Sequence, residues 1–346
     1  MEGRGVRADG SEDAMADGGI AHDTIAHDTI VHGGDLDAAR RLFPGAPEPW
    51  IDLSTGINPV PYPLPPLIAS ALHRLPSPGD LARLKAAAAA AYGAPGPDHV
   101  AAAPGTQILI ETLPRLLPRS RVAVVGPTYA EHAAAWTRSG HAVRMVADPA
   151  EAEGADVLVA VSPNNPDGRV FSPAALARAA GGGLVVLDQA FADLEPVEAA
   201  TPGPAFVILR SFGKTYGLAG LRLGFALAEP ALARRLESAL GPWAVSGPAI
   251  AAGCAALPDA EWRREAAAAR GQDAARLDRM IARVGGRVVG GTALFRTADF
   301  PDAPGLYRAL GEVGIYVRRF PGAPERLRFG LPPDKAAWCR LSRVLR

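Results

Sequence analysis

Four short, wholly apolar runs, each cut off by turn or polar residues, constrain the fold of this chain more than any other feature. They are residues 122–125, stopping at Gly126-Pro127; 157–161, stopping at Ser162-Pro163-Asn164-Asn165-Pro166; 184–187, stopping at Asp188; and 206–209, stopping at Arg210-Ser211. A strand with no polar alternation has no face to give to water, so both faces must be covered. Helix-like stretches between the runs, such as 131–139, supply the cover. The pattern predicts an α/β fold around a mostly parallel sheet.

After about residue 230 the texture changes. A long Ala/Arg/Glu-rich helix is predicted at 261–284, then shorter strand-like pieces at 287–289, 315–317 and 326–329, with Pro333 opening a last helix in a position where proline is tolerated. This reads as a second, smaller α+β domain, and 346 residues are enough for two cores. Upstream, residues 1–30 are polar and Gly/Asp-rich. They contain a near-duplication, His22-Asp23-Thr24-Ile25-Ala26 and His27-Asp28-Thr29-Ile30-Val31. Two histidines five apart could ligate a metal, but a short repeat in a floppy tail is the plainer account. Asp35 is placed to N-cap a helix at 36–43; 51–63 reads as an extended arm, and 79–92 as a helix. The expected division is a disordered leader (1–30), an arm joining the small domain (31–60), a large domain (61–235) and a small C-terminal domain (236–346).

Bulk properties exclude several classes. Lys plus Arg and Asp plus Glu each number 36, so the basic excess of a nucleic-acid binder is missing. The two cysteines, Cys254 and Cys339, have no metal-ligand spacing and make no disulfide framework. No apolar run approaches the roughly 18 residues of a membrane span, and the N-terminus lacks a secretory core. A cytoplasmic enzyme with no structural metal is the expectation.

In open α/β sheets ligands bind at the carboxyl ends of strands, and the polar residues of this chain fall there. Asp188 could bind a metal, a ribose or a protonated ring nitrogen, or could simply make a turn. Lys214, in Ser211-Phe212-Gly213-Lys214-Thr215, is either a phosphate binder or an amine nucleophile. Gly-Lys-Thr suggests a P-loop, but the first glycine of that motif would fall on Ile208, which rules it out. Arg222, flanked by Gly220 and Gly224, suits bidentate binding of a phosphate, although a surface ion pair would also use an arginine. Gly105-Thr106-Gln107 opens a helix-like run, and a helix start is an anion site. An acid, a lysine, an arginine and an anion-binding helix start together meet the needs of a cofactor with a basic ring, an aldehyde and a phosphate.

The order of these motifs resembles the fold-type I pyridoxal 5'-phosphate (PLP) enzymes of the class I/II aminotransferase group. The resemblance runs through Gly105-Thr106-Gln107, Pro127-Thr128-Tyr129, Pro163-Asn164-Asn165-Pro166-Asp167-Gly168, Asp188-Gln189-Ala190-Phe191, Ser211-Phe212-Gly213-Lys214 and Gly220-Leu221-Arg222-Leu223-Gly224. It covers roughly residues 50–346. It implies a large domain on a mostly parallel seven-stranded sheet, a homodimer, and PLP held on Lys214 as a Schiff base. By the same resemblance Asp188 pairs with the ring nitrogen, Asn165 bonds the phenolic oxygen and Tyr129 stacks on the ring, with Lys214, Asp188 and Tyr129 the catalytic set. Gly105, Thr106, Gln107, Ser211 and Arg222 surround the phosphate, and Arg328 grips the substrate α-carboxylate. Phe191 stands where many aminotransferases have Tyr, and Asp167 where Thr is common.

His32-Gly33-Gly34-Asp35 followed by Trp50-Ile51-Asp52-Leu53-Ser54-Thr55-Gly56-Ile57-Asn58-Pro59 looks like the threonine-phosphate decarboxylases of cobalamin biosynthesis. Phe191 fits that subfamily, while Gln189 departs from its usual Glu. The implied reaction takes L-threonine O-3-phosphate to (R)-1-amino-2-propanol O-2-phosphate; the alternative is an aminotransferase acting on a phosphorylated amine such as histidinol phosphate. His32 with the backbone N–H groups of Gly33 and Gly34 is the expected site for the substrate phosphate, assisted by Arg318 or Arg319. Asn58 and Asn165 complete the substrate set. A PLP-fold transcription regulator is disfavoured, because a 30-residue leader holds no DNA-binding domain.

Overall fold

The computed structural model describes residues 33–66 and 69–346. Twelve strands occur among them: β1 (Ile51–Leu53), β2 (Val100–Ala103), β3 (Arg121–Val125), β4 (Ala142–Val146), β5 (Val157–Val161), β6 (Leu184–Asp188), β7 (Phe206–Ser211), β8 (Gly224–Leu227), β9 (Arg287–Thr292), β10 (Phe295–Asp299), β11 (Ile315–Phe320) and β12 (Ala323–Gly330). They form two sheets.

The first has seven strands in the order β2-β8-β7-β6-β5-β3-β4. β8 runs antiparallel to both of its neighbours and the remaining pairs are parallel. The expected continuous apolar strands are all here, and the structure shows why they do not alternate. Ala123, Leu158, Val185 and Ile208 point into one core, shared with the helices Pro78–Tyr92, Pro173–Ala180 and Gly247–Ala256. Val122, Val159, Val186 and Val207 point into a second core on the other face, shared with Thr106–Thr112, Glu131–Arg138 and Pro230–Leu240. Successive side chains go to opposite faces, and both faces are dry.

The second sheet has five strands, β1-β11-β12-β10-β9, antiparallel except for the β1–β11 pair. Its core uses Leu53, Val317, Leu327 and Phe329 with Leu277 and Ile281 of the 24-residue helix Ala260–Arg283. β1 lies in the arm, so residues 51–53 belong to this sheet by their pairing with 315–317. Asp35 caps Leu36–Leu42 by accepting from the Ala38 N–H, as expected. The last helix differs from the expectation. It starts at Lys335, two residues beyond Pro333, because the Asp334 carboxylate accepts from the Ala337 N–H and makes the stronger N-cap.

Candidate active site

Three parallel strand ends lie side by side. The register pairs Val161 with Asp188 and Asp188 with Leu209, so the turns after β5, β6 and β7 open on one edge. The chain after β7 turns at once into the short helix Phe212–Thr215, which carries Lys214. A cavity of about 270 Å³ sits there. Its walls include Gly105, Thr106, Gln107, Tyr129, Asn165, Asp188, Phe191, Ser211, Lys214, Arg222 and Arg328, together with Gly33 and Ser54 to Ile57 of the arm.

Asp188 is 4% exposed. Its Oδ1 accepts from the Ala190 N–H at 2.9 Å, and its Oδ2 lies 2.9 Å from His132 Nε2. Burial alone would raise its pKa; the bond to His132 and the charges of His132 and Lys214 outweigh that and hold the carboxyl below its ordinary value. His132 was not singled out in the sequence. No local signal marks it: His132 lies in the first turn of the helix Glu131–Arg138 and meets Asp188 only because that helix packs beside the sheet.

Burial pulls the Lys214 amine below its ordinary pKa, and Arg328 and Arg222 push the same way, against the opposing pull of Asp188. The amine stands 5.2 Å from the Phe191 ring centroid. Phe191 meets Phe295 edge to face at 5.0 Å. A Cβ on Gly56 would come within 2.9 Å of both rings, which requires glycine there.

Also lining the cavity, Gly105 has φ +90°, and a Cβ there would stand 2.6 Å from Arg222 Nη2. Arg222 itself has φ +53°, an uncommon backbone for arginine. The two unusual conformations together lay the guanidinium over the start of the helix Thr106–Thr112, whose first N–H groups lack helical partners. The Tyr129 hydroxyl donates to Gln107 Oε1 at 2.9 Å, and burial raises its pKa to about 12. A positive cradle of Arg222 and backbone N–H groups, a carboxylate held ionised and a buried amine fit the phosphate, ring nitrogen and aldehyde of PLP.

Arg328 is the deepest cation. It is 7% exposed, donates through Nη2 to the Ser54 carbonyl at 2.7 Å and through Nη1 to Asn165 Oδ1. Its Nε has no hydrogen-bond partner among the described residues. Burial and the like charge of Arg318 lower its pKa to about 10. Among the described residues near it, Asp52 is the one that offsets this, so the guanidinium carries a largely uncompensated positive charge into the cavity. Asn165 is held by its turn: Asn164 donates to the Pro127 carbonyl and to Asp167, and Arg169 closes on Asp167. Asp167 in place of Thr is therefore a turn residue.

Not every expected site residue meets in the cavity. Asn58 is buried and lies outside it; its side chain donates to the Thr215 carbonyl and accepts from Arg270 and the Val60 N–H. The Gly34 N–H is taken by Ser54 Oγ at 2.7 Å. Arg318 does not line the cavity but stands opposite Arg328 in the β11–β12 register. Arg319, on the other face, covers the Tyr307 ring at 4.1 Å. His32 lies outside the described residues.

The family model "Aminotransferase class I and II" matches residues 50–337. The chain belongs to the class I and II aminotransferases. Among its relatives, threonine-phosphate decarboxylases from Pseudomonas aeruginosa and from a Sinorhizobium species are each 43% identical, over 90% of this chain and 96% of theirs. A histidinol-phosphate aminotransferase from Symbiobacterium thermophilum is 33% identical over 62% of this chain and 65% of its own. Among solved structures, the histidinol-phosphate aminotransferase of Sinorhizobium meliloti in complex with pyridoxal-5'-phosphate superposes with a TM-score of 0.73, at 22% identity over 95% of this chain and 99% of that one. L-threonine-O-3-phosphate decarboxylase from Porphyromonas gingivalis gives 0.71, at 20% identity over 85% of this chain and 97% of that one. These likenesses settle the fold as that of the aminotransferases. No helix among the described residues is long and apolar enough to cross a membrane.

Proposed function

We propose that this protein is a PLP-dependent threonine-phosphate decarboxylase. It takes L-threonine O-3-phosphate to (R)-1-amino-2-propanol O-2-phosphate and carbon dioxide, a step of cobalamin biosynthesis. The observation that carries the choice of reaction is the 43% identity to threonine-phosphate decarboxylases across nine-tenths of the chain. The geometry supports the chemical class.

Lys214, Asp188, Asn165, Tyr129, Thr106, Gln107, Ser211 and Arg222 would hold the cofactor. When bound, PLP supplies an electron sink for the pair left by a Cα bond perpendicular to its ring. The residues of the chain decide which bond that is. Arg328, fixed by Ser54 and Asn165, holds the substrate carboxylate. Gly33 at the cavity wall, with the positive charge that Arg318 adds beside Arg328, favours a second anion on the substrate, and two anchored ends leave one conformer. Carbon dioxide leaves without a proton, so one must be delivered to Cα. Lys214, whose buried amine exchanges protons more readily than a solvated lysine, is the group placed to carry it. Phe191 and Phe295 keep water from that face.

We also read the protein as a homodimer. Trp243 is 60% exposed beside a groove lined by Pro76, Leu81 and Leu240, and a second copy would cover it.

The deciding assay gives PLP-loaded protein L-threonine phosphate and measures carbon dioxide. In parallel, histidinol phosphate and 2-oxoglutarate are offered and glutamate is measured. Carbon dioxide without glutamate supports the decarboxylase; glutamate without carbon dioxide overturns it in favour of an aminotransferase.

A further inference from the structure

A chain of buried polar side chains runs behind the cavity wall and touches none of the cavity. Gln189 follows Asp188, Arg210 precedes Ser211, and Thr215 follows Lys214. Each of these neighbours points away from the cavity. Arg210 Nη1 donates to Gln189 Oε1 at 2.7 Å, and Arg210 Nη2 lies 3.0 Å from Asp193 Oδ1. The Thr215 hydroxyl donates to Asp193 Oδ2 at 2.8 Å. The Arg210 guanidinium lies 4.6 Å from the Tyr92 ring centroid, which fixes its plane. The side chain of Asp193 is 4% exposed and that of Arg210 14%. Three segments that end at the active site are thereby tied to one another through one ion pair.

Such a pair is a poor device for stability alone. Removing two charges from water costs about as much as their attraction returns, and an apolar pair of the same volume often serves the fold as well or better. Arg210 and Asp193 Oδ1 meet by charge and not by a hydrogen bond, and the directed bonds at the two ends, Arg210 to Gln189 and Thr215 to Asp193 Oδ2, add a fixed distance and register. Gln189 fits this account. Arg210 already has one carboxylate, and a neutral acceptor at 189 satisfies its second nitrogen without placing another anion next to Asp188.

We propose that Asp193 and Arg210 are positioning residues that set the separation of Asp188 and Lys214 through Gln189 and Thr215. The proposal rests on the reading of Asp188 and Lys214 as the cofactor-holding pair. Asp193→Asn leaves Arg210 buried without its counter-charge and can fail to fold, so Thr215→Val is the decisive variant: it keeps the shape and deletes one bond. A displacement of about 1 Å at a reacting group can cost on the order of a hundredfold, so a partial slackening is expected to lower kcat roughly tenfold.

The measurements are made on PLP-loaded protein. Thr215→Val should lower kcat with KM little changed, weaken PLP binding in an absorbance titration of the stripped protein, and move the pH midpoint of the visible band of the bound cofactor. Thr215→Ser, which restores the hydroxyl, should return all three. If Thr215→Val folds and matches wild type in kcat, PLP affinity and midpoint, the proposal is overturned while the parent reading stands. Wild-type protein that takes up no PLP would overturn both.

Discussion

The two walls of the cavity are built differently. The Lys214 wall comes from the ends of parallel strands in the seven-stranded sheet, where each polar residue stands just after an apolar run. The Arg328 wall comes from the middle of an antiparallel pair in the five-stranded sheet, where Arg328 sits among buried apolar residues at Leu327 and Phe329. The first wall is set by topology, since parallel strands of one sheet must end at the same edge. The second is set by register, since a shift of one residue in β12 would turn Arg328 to the opposite face. The cofactor side is thus fixed by architecture, and the substrate side can be changed by small changes in strand pairing.

If the Lys214 wall carries the chemistry, Lys214→Ala should have the largest effect of any single change. Turnover should fall by about 10⁴-fold or more, the upper range for loss of a proton-transfer group, and the visible absorbance of the protein with PLP should vanish. A retained band would break the assignment. On the other wall, Arg328→Gln should act on the substrate and spare the cofactor. Loss of a buried, hydrogen-bonded charge from a binding contact costs roughly 2–5 kcal/mol, so kcat/KM should drop by about 30-fold to several thousand-fold with PLP still bound and its visible band retained. A lost band would show that the two walls are not separable.

The same difference explains what could be read from the chain alone. Strands β3, β5, β6 and β7 were legible because covered strands leave continuous apolar runs, and Asp188 and Lys214 were legible because they stand at the ends of those runs. Strand β2 was not: Val100-Ala101-Ala102-Ala103 is alanine-rich and carries little strand preference of its own, yet all four residues are buried beside β8. Arg328 was found only through family resemblance, because a lone arginine in a short strand has no local mark of burial. Asn58 was expected at the substrate by the same route; instead its amide is spent on the Thr215 carbonyl. His132 could be known only once helix and sheet were placed together, and the register of Arg318 against Arg328 only once β11 and β12 were paired.

His132 tests how firmly the first wall depends on its support. Asp188 is held below its ordinary pKa against burial, first by the bond from His132. His132→Phe removes that bond and the charge behind it, leaving only Lys214 and the Ala190 N–H to oppose burial, so the Asp188 carboxyl should rise. The acid limb of the pH–rate profile should move to higher pH, so kcat falls most at the acid end of the profile. Stability should follow. A carboxyl whose folded pKa lies below its unfolded value contributes above the unfolded pKa and loses that contribution as pH falls through the folded one. The melting temperatures of wild type and variant should therefore differ at neutral pH and converge in acid. A parallel offset at every pH would assign His132 to packing alone.

Arg318 gives the smallest effect and the sharpest contrast, because two of its consequences should have opposite signs. It stands directly across from Arg328, and like charges in opposed positions on a sheet are destabilising by roughly 0.2–1 kcal/mol. Burial lowers the pKa of Arg318, and Arg328 is lowered in turn by Arg318. Nothing in that arrangement helps the empty fold, whereas a substrate carrying both a carboxylate and a phosphate would neutralise it. Arg318→Gln should therefore raise the melting temperature slightly, by about 1–3 °C for a chain of this size. It should also raise KM for threonine phosphate by about tenfold, the equivalent of one modest charged contact, and change KM for unphosphorylated threonine far less. A variant that is both less stable and equally good at binding the phosphorylated substrate would place Arg318 in the sheet's own packing and confine the substrate wall to Arg328.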